Sequence, residues 1–234
     1  MKFNTIKLEQ YIAAQTAYSR RNILDLIKEK KVRCNGNLVT NIAHDIDPNN
    51  SHVVIDGTTL STPPTFYYYK YYKPKNMICT LEDPKDRRCL KEVITKLKKH
   101  LFPVGRLDRQ STGLLLLTND GHFTQSIIHP SHAIKKQYSV TLNQCLDTVT
   151  IARLENGFFL DDGPVEFQGL IQEAPNQLKL TLTEGRNRII RRSFEFLGYE
   201  VTHLKRLSIG PIKLGKLKMG EIRPLTPEER DRIK

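Results

Sequence analysis

Apolar positions repeat at helical spacing twice near the start of the chain. Leu8, Tyr11 and Ile12 share one stripe within 5–16. Ile23, Leu24 and Ile27 share another behind Ser19, which stands where an N-cap belongs. The pattern then shortens. Val32-Arg33-Cys34-Asn35-Gly36-Asn37-Leu38-Val39 predicts a hairpin turning at Asn35-Gly36, and Val53-Val54-Ile55 before Asp56-Gly57 predicts another strand and turn. Pro63-Pro64 blocks a helix and stiffens the chain, so residues 63–66 read as a linker. Beyond it, Phe66 to Lys75 interleaves five tyrosines with three lysines. This run reads as a strand with alternate rings buried, although such rings also suit base stacking. It resumes at Met77-Ile78-Cys79-Thr80 after Asn76, a residue that accepts left-handed backbone.

Further along, 90–99 predicts a short helix exposing Lys96, Lys98 and Lys99. Leu114-Leu115-Leu116-Leu117 predicts a buried strand that stops at the turn signal Asn119-Asp120-Gly121. A helix over His122–Ile128, a strand over Lys135–Leu142 and a helix over 148–156 ending at Gly157 follow. Leu160-Asp161-Asp162-Gly163-Pro164 is a turn, and 178–183 alternates as a strand. The last clear helix covers about 187–197 and closes at Gly198. Ile190, Phe194 and Leu197 form its apolar stripe, with Arg188, Arg191 and Arg192 on the other face.

Charge narrows the partners. The chain has 234 residues and a net charge of +12, unevenly spread. Residues 67–100 hold 10 basic against 4 acidic side chains, and 185–218 hold 9 against 2. Between them, 101–184 is acidic on balance, 6 against 9. Two basic blocks flanking one region attract a polyanion, with nucleic acid as the leading partner. No apolar run approaches the ~18 residues of a membrane span, and the N-terminus lacks the apolar core of a signal peptide, so a cytoplasmic protein is expected. Cys34, Cys79, Cys89 and Cys145 lie far apart without a C-x-x-C pair, which suggests reduced thiols rather than a metal cluster or disulfide framework.

The chemistry centres on 103–121. Asp108 sits between Arg106 and Arg109, before a small polar turn ending in Gly113 and the four leucines. A buried strand directly after the turn fixes Asp108 on rigid scaffold, as a reactive group requires. Nucleophilic and general-base work both need a charged carboxylate, the form that nearby guanidinium groups favour in general. A base inside a polyanion must leave its stack to reach such a group, and an aromatic ring would support it there. Asp108, Tyr138 and the Arg186–Arg192 cluster supply these parts, which leads to a carboxylate enzyme acting on RNA.

Gly105-Arg106-Leu107-Asp108 through Asn119-Asp120-Gly121 resembles the signature of the RsuA/RluB-type pseudouridine synthases. Lys136-Gln137-Tyr138 resembles that family's K-x-Y motif, and Glu184 to Arg192 its arginine-rich motif, with Ile189 where glutamine is usual. Gly220 to Thr226 resembles its closing segment, and Ser19-Arg20-Arg21 with Val32 to Gly36 resembles an S4 RNA-binding domain. The resemblance implies an α+β fold: an S4-like domain over 1–62, then a catalytic domain over 67–234 around a largely antiparallel mixed sheet. It implies isomerisation of uridine to pseudouridine without cofactor or metal, with Asp108 as nucleophile, Tyr138 against the base and Arg191 paired with the aspartate. Arg106, Arg109, Arg186, Arg188, Arg192 and Lys73, with Arg20, Arg21, Lys31 and Arg33 of the first domain, become the RNA contacts.

Tyr71-Tyr72-Lys73-Pro74, His129-Pro130-Ser131 and Leu160 to Pro164 look more like the large-subunit RluB type than the small-subunit RsuA type. The implied partner is 23S ribosomal RNA or a pre-ribosomal particle, bound by a monomer with no membrane involved. A 16S-specific enzyme is the nearer alternative. A non-catalytic assembly factor using the S4 module alone leaves the three catalytic motifs unexplained. A methyltransferase or synthetase would need nucleotide-binding signatures that this chain lacks.

Overall fold

Ser19 caps the second helix: its Oγ accepts from the Asn22 backbone N–H at 3.2 Å, and the Asn22 side chain accepts from the Ser19 N–H at 3.0 Å. The computed structural model describes residues 5–233. They fall into two compact units. One takes in the chain through Tyr68 with Val93–Phe102 and Thr118–Phe123; the other takes in Tyr69–Glu92, Pro103–Leu117 and the chain from Thr124 onward.

The first unit begins β1 (Ile6–Lys7), α1 (Leu8–Gln15), α2 (Arg20–Lys28), β2 (Val32–Cys34), β3 (Asn37–Leu38), β4 (Asp45–Ile46), β5 (Val53–Ile55) and β6 (Thr58–Thr59). Strands β3-β2-β5-β6 form one antiparallel sheet, and β1 pairs with β4. Asn35-Gly36 and Asp56-Gly57 all take positive φ, the backbone that a two-residue hairpin turn demands. Leu8, Tyr11, Ile12, Ile23, Ile27, Val32, Val53 and Ile55 close one core. Leu24, expected to face inward, is 37% exposed, and Leu26 packs in its place.

The chain continues as β7 (Tyr68–Lys73), α3 (Lys91–Leu97), β8 (Phe102–Val104), β9 (Thr112–Thr118), α4 (Gly121–Ile128), β10 (Lys136–Leu142) and α5 (Thr148–Asn156). Then come β11 (Phe158–Leu160), β12 (Gly163–Val165), β13 (Gln168–Ala174), β14 (Gln177–Leu182), α6 (Ile189–Phe196), β15 (Val201–Ile209), β16 (Ile212–Lys213), β17 (Ile222–Pro224) and α7 (Pro227–Asp231). Nine strands make the main sheet in the order β13-β14-β10-β15-β9-β7-β17, with β16 on β15 and β8 on β9. The β9–β15 pair is parallel, and the pairs β10–β14, β10–β15, β13–β14, β15–β16 and β7–β17 are antiparallel. The fold is α+β, as expected. No helix among the described residues is long and apolar enough to cross a membrane.

The leucine run is the interior strand that its composition predicts: Leu114 to Leu117 are all buried in β9, between β15 and β7. Met77 to Thr80 does not form the expected strand; it makes only a parallel bridge from Ile78 to Cys89. Besides several two- and three-residue strands, two long ones were not legible from the residues, β13 and β15. The pairing of β15 with β10 shifts register twice, so its buried positions, Val201, Leu204, Arg206 and Ile209, do not alternate.

Gly113 allows the parallel pair to form. It lies opposite Arg206 at φ +109°, and a Cβ there would sit 2.3 Å from the Arg206 carbonyl oxygen and 2.5 Å from its nitrogen. Backbone on both sides leaves nothing flexible to yield. Gly113→Ala is expected to cost roughly 1–3 kcal/mol, read as a lowered thermal midpoint; an unchanged midpoint would contradict this close approach.

Candidate active site

Asp108 begins a turn between β8 and β9, in which the Ser111 N–H donates to the Asp108 carbonyl at 3.0 Å. Every carbonyl of that turn is taken up. Lys73 Nζ donates to the Asp108 carbonyl at 3.0 Å and to the Ser111 carbonyl at 2.8 Å. The Asn76 N–H donates to the Arg109 carbonyl at 2.8 Å, and Arg191 Nη2 to the Gln110 carbonyl at 3.3 Å. Just upstream, the Leu107 N–H reaches the Cys79 Sγ at 3.4 Å, and Arg206 Nη1 reaches the Arg106 carbonyl at 3.4 Å. Side chains and backbone from several separate segments thus hold six consecutive residues.

The carboxylate itself is left alone. Among the described residues, no side chain hydrogen-bonds or ion-pairs with the Asp108 carboxylate. The surrounding cations spend their donors elsewhere: Lys73, Lys136, Arg191 and Arg206 all donate to backbone carbonyls and to no acidic group. Their positive charge is therefore not cancelled by a salt bridge, and the charges of Lys73 and Arg191 act on the Asp108 carboxylate.

Lys73 was expected to contact RNA, but the structure buries it. Its side chain is 0% exposed, and its three N–H donors go to the Pro74, Asp108 and Ser111 carbonyls. Burial pulls its pKa down to about 8, while the Cys79 thiol and Asp108 oppose the fall and Arg206 adds to it. Lys136 is lowered too, first by burial and then by Arg206. Burial also lowers Arg191, with Arg188 adding to the fall and Asp108 opposing it. The Cys79 thiol is pushed up, mainly by burial.

Arg191 was expected to pair with the aspartate. Instead its Nη1 holds the Val201 carbonyl at 2.7 Å and its Nη2 the Gln110 carbonyl, two residues past Asp108. It sets the turn rather than the carboxylate. Arg186 and Arg192, expected to contact RNA, carry acidic partners in this structure. Arg186 bonds Glu184, the Pro164 carbonyl and Asp162 Oδ1, the last at 2.9 Å. Arg192 bonds Asp161 Oδ1 at 3.0 Å and Asp162 Oδ2 at 2.5 Å. The two acidic residues lie between β11 and β12, so they pin that hairpin to the start of α6. Ile189, where the resembled motif usually has glutamine, is buried at the start of α6 and serves the core.

Arg106, Arg109 and Arg188 are exposed and have no carboxylate partner among the described residues. Arg188 takes left-handed backbone at φ 48° directly before α6. In the first unit, Arg21 is exposed, Arg33 Nη1 donates to the Gly36 carbonyl, Arg20 pairs with Glu9 at 2.7 Å and Lys31 with Glu29 at 2.9 Å. The Lys31 pair is exposed at both ends and therefore weak, whereas Glu9 is only 14% exposed.

Tyr138 is 9% exposed on β10. Register places Leu180, Tyr138, Arg206 and Gly113 side by side across β14, β10, β15 and β9. The tyrosine is thus one strand from the arginine that braces the Asp108 turn. Sequence reading missed Arg206 because β15 was not recognised; the available signal was a cation inside the run Val201 to Ile209. Cys79 was read only as a thiol, with nothing to place it under Leu107.

Known proteins resemble this chain over most of its length. The RNA pseudouridylate synthase family matches residues 67–196, which include Asp108, Tyr138 and Arg191. A Bacillus subtilis protein named ribosomal large subunit pseudouridine synthase B is 34% identical, over 97% of this chain and 95% of its own length. A Pseudomonas aeruginosa protein of the same name is 33% identical, over 96% of this chain and 61% of its own. A solved pseudouridylate synthase structure overlays with a TM-score of 0.68 at 28% identity, covering 98% of this chain and all of that one.

Lys73→Met would strip the turn of its central donor and is expected to lower stability by roughly 2–4 kcal/mol in urea melts. The lysine pKa is lower in the folded protein, about 8, than its ordinary 10.5. Native protein then binds fewer protons than the unfolded chain between those values. The stability of wild type relative to Lys73→Met therefore rises with pH across that window. A gap that is constant from pH 7 to 10.5 would contradict the lysine's buried state.

Proposed function

Because this chain belongs to the RNA pseudouridylate synthase family, we propose that it converts one uridine of 23S ribosomal RNA to pseudouridine, with Asp108 as nucleophile. The observation that carries the assignment is a carboxylate without a partner on a turn whose carbonyls are all held. A nucleophile needs its charge free and its reach fixed, and that turn meets both requirements. Large-subunit RNA is favoured by the likeness to the Bacillus subtilis enzyme over almost the full length of both chains.

In the reaction, the bond from ribose to N1 of the uracil breaks and the base rejoins the ribose through C5. The target nucleotide leaves its stack to enter the cleft. Tyr138 packs on the extruded base and assists removal of the C5 proton. Arg106, Arg109 and Arg188, exposed and unpaired, take phosphates around it. Residues 1–62 act as an S4-like RNA-binding domain through Arg20, Arg21, Lys31 and Arg33. The enzyme works as a monomer in the cytoplasm and uses neither cofactor nor metal.

Ribosomal RNA transcripts treated with wild type or Asp108→Asn, then mapped by carbodiimide-dependent reverse-transcription stops, test this reading. A 23S stop made by wild type and absent with Asp108→Asn is expected, with RNA binding retained by the variant. A stop in 16S RNA would move the assignment to the small-subunit type. No stop on either RNA, nor on immature subunits, would leave an RNA-binding protein without this chemistry.

A further inference from the structure

Arg206 has no assigned role, yet it is 4% exposed in the middle of the main sheet. Its Nε donates to the Leu114 carbonyl at 2.7 Å and its Nη1 to the Arg106 carbonyl at 3.4 Å. Those two carbonyls stand on either side of the turn that carries Asp108. Its backbone adds to the grip, since β15 meets β9 at Gly113 too closely for any side chain there. The third nitrogen, Nη2, is buried with no partner among the described residues. Tyr138 lies directly opposite Arg206 on β10.

A buried guanidinium with an unused donor is a costly way to hold a strand, and an apolar side chain of similar size would serve packing better. What the guanidinium provides is one rigid, planar group that spans both ends of the turn. We propose that Arg206 is a positioning residue for the isomerisation: it fixes the distance between the Asp108 carboxylate and the base held by Tyr138. Arg206 acts through the Arg106 and Leu114 carbonyls and touches no reacting atom. The inference rests on Asp108 being the nucleophile.

The test compares wild type, Asp108→Asn, Arg206→Met and Arg206→Lys in single-turnover pseudouridine formation on ribosomal RNA, alongside RNA affinity and thermal midpoint. A misplacement of the carboxylate by about 1 Å costs on the order of 100-fold in rate, so Arg206→Met should lose about that much at saturating enzyme. Its RNA affinity should stay within about 3-fold of wild type, because the side chain meets no phosphate. Arg206→Lys, which can brace one carbonyl but not both, should recover about 10-fold of the lost rate. A purely structural role predicts a lowered midpoint with the saturated rate unchanged, and that result would overturn the proposal. If Arg206→Met does not fold, Arg206→Lys decides: a folded lysine variant at the wild-type rate also overturns it. Loss of activity in Asp108→Asn, with Arg206 variants unimpaired, refutes this inference alone. Inactive wild type, or an active Asp108→Asn, refutes the nucleophile assignment and this inference with it.

Discussion

The structure depends on one constraint: the carbonyls of the turn around Asp108 all need donors, and the fold brings those donors from distant parts of the chain. Lys73 comes from the end of β7, Asn76 from the turn after it, Arg191 from α6 and Arg206 from β15. Each donor lies on an element anchored in the main sheet or packed at its side. A turn held this way has little freedom to relax, which is what an enzyme needs beneath a nucleophile. Using cations as the donors has a second effect. Their charge remains uncancelled by any acidic side chain while the Asp108 carboxylate stays unpartnered among the described residues.

The arginines divide into two groups that share a sequence pattern but not a role. Arg186 and Arg192 bind Asp161 and Asp162 and tie the β11–β12 hairpin to the start of α6. Arg191, between them in the motif, reaches the opposite way to the Asp108 turn. Arg188 takes left-handed backbone and stays exposed. Four arginines within seven residues thus secure a hairpin, brace a turn and leave one side chain exposed without an acidic partner among the described residues. Spacing alone could suggest that they shared a face; only the positions of the acids and carbonyls separate them.

At the C-terminal end, the same economy of charge appears. Lys70, buried on β7, pairs with Glu229 of α7 at 2.6 Å, and Glu229 also binds Arg223 of β17. Thr226 and Glu229 cap α7 reciprocally. The tyrosine- and lysine-rich run is the strand it was read as, but only Tyr71 of its rings is buried, and Lys70 and Lys73 both point inward to fixed partners.

Much of this was legible in the residues because the determinants are local. Ser19, Asn35-Gly36, Gly157 and Gly198 punctuate the chain through backbone preferences that act over a few residues. Asn76 adopts the left-handed backbone that its side chain tolerates. Leu114 to Leu117 could only be an interior strand, and the small polar turn before it was legible from Ser111 to Gly113. The roles of Lys73, Arg191 and Arg206 were not legible, since a cation's partner is set by which carbonyl or carboxylate lies within about 3 Å across the fold. Strand β15 hid its own buried arginine by shifting register twice. Sequence by itself determined where the chain turns and which apolar runs it buries. Tertiary structure decided which charges hold the protein and which remain for its substrate, because hydrogen bonds between distant residues depend on three-dimensional register rather than on spacing along the chain.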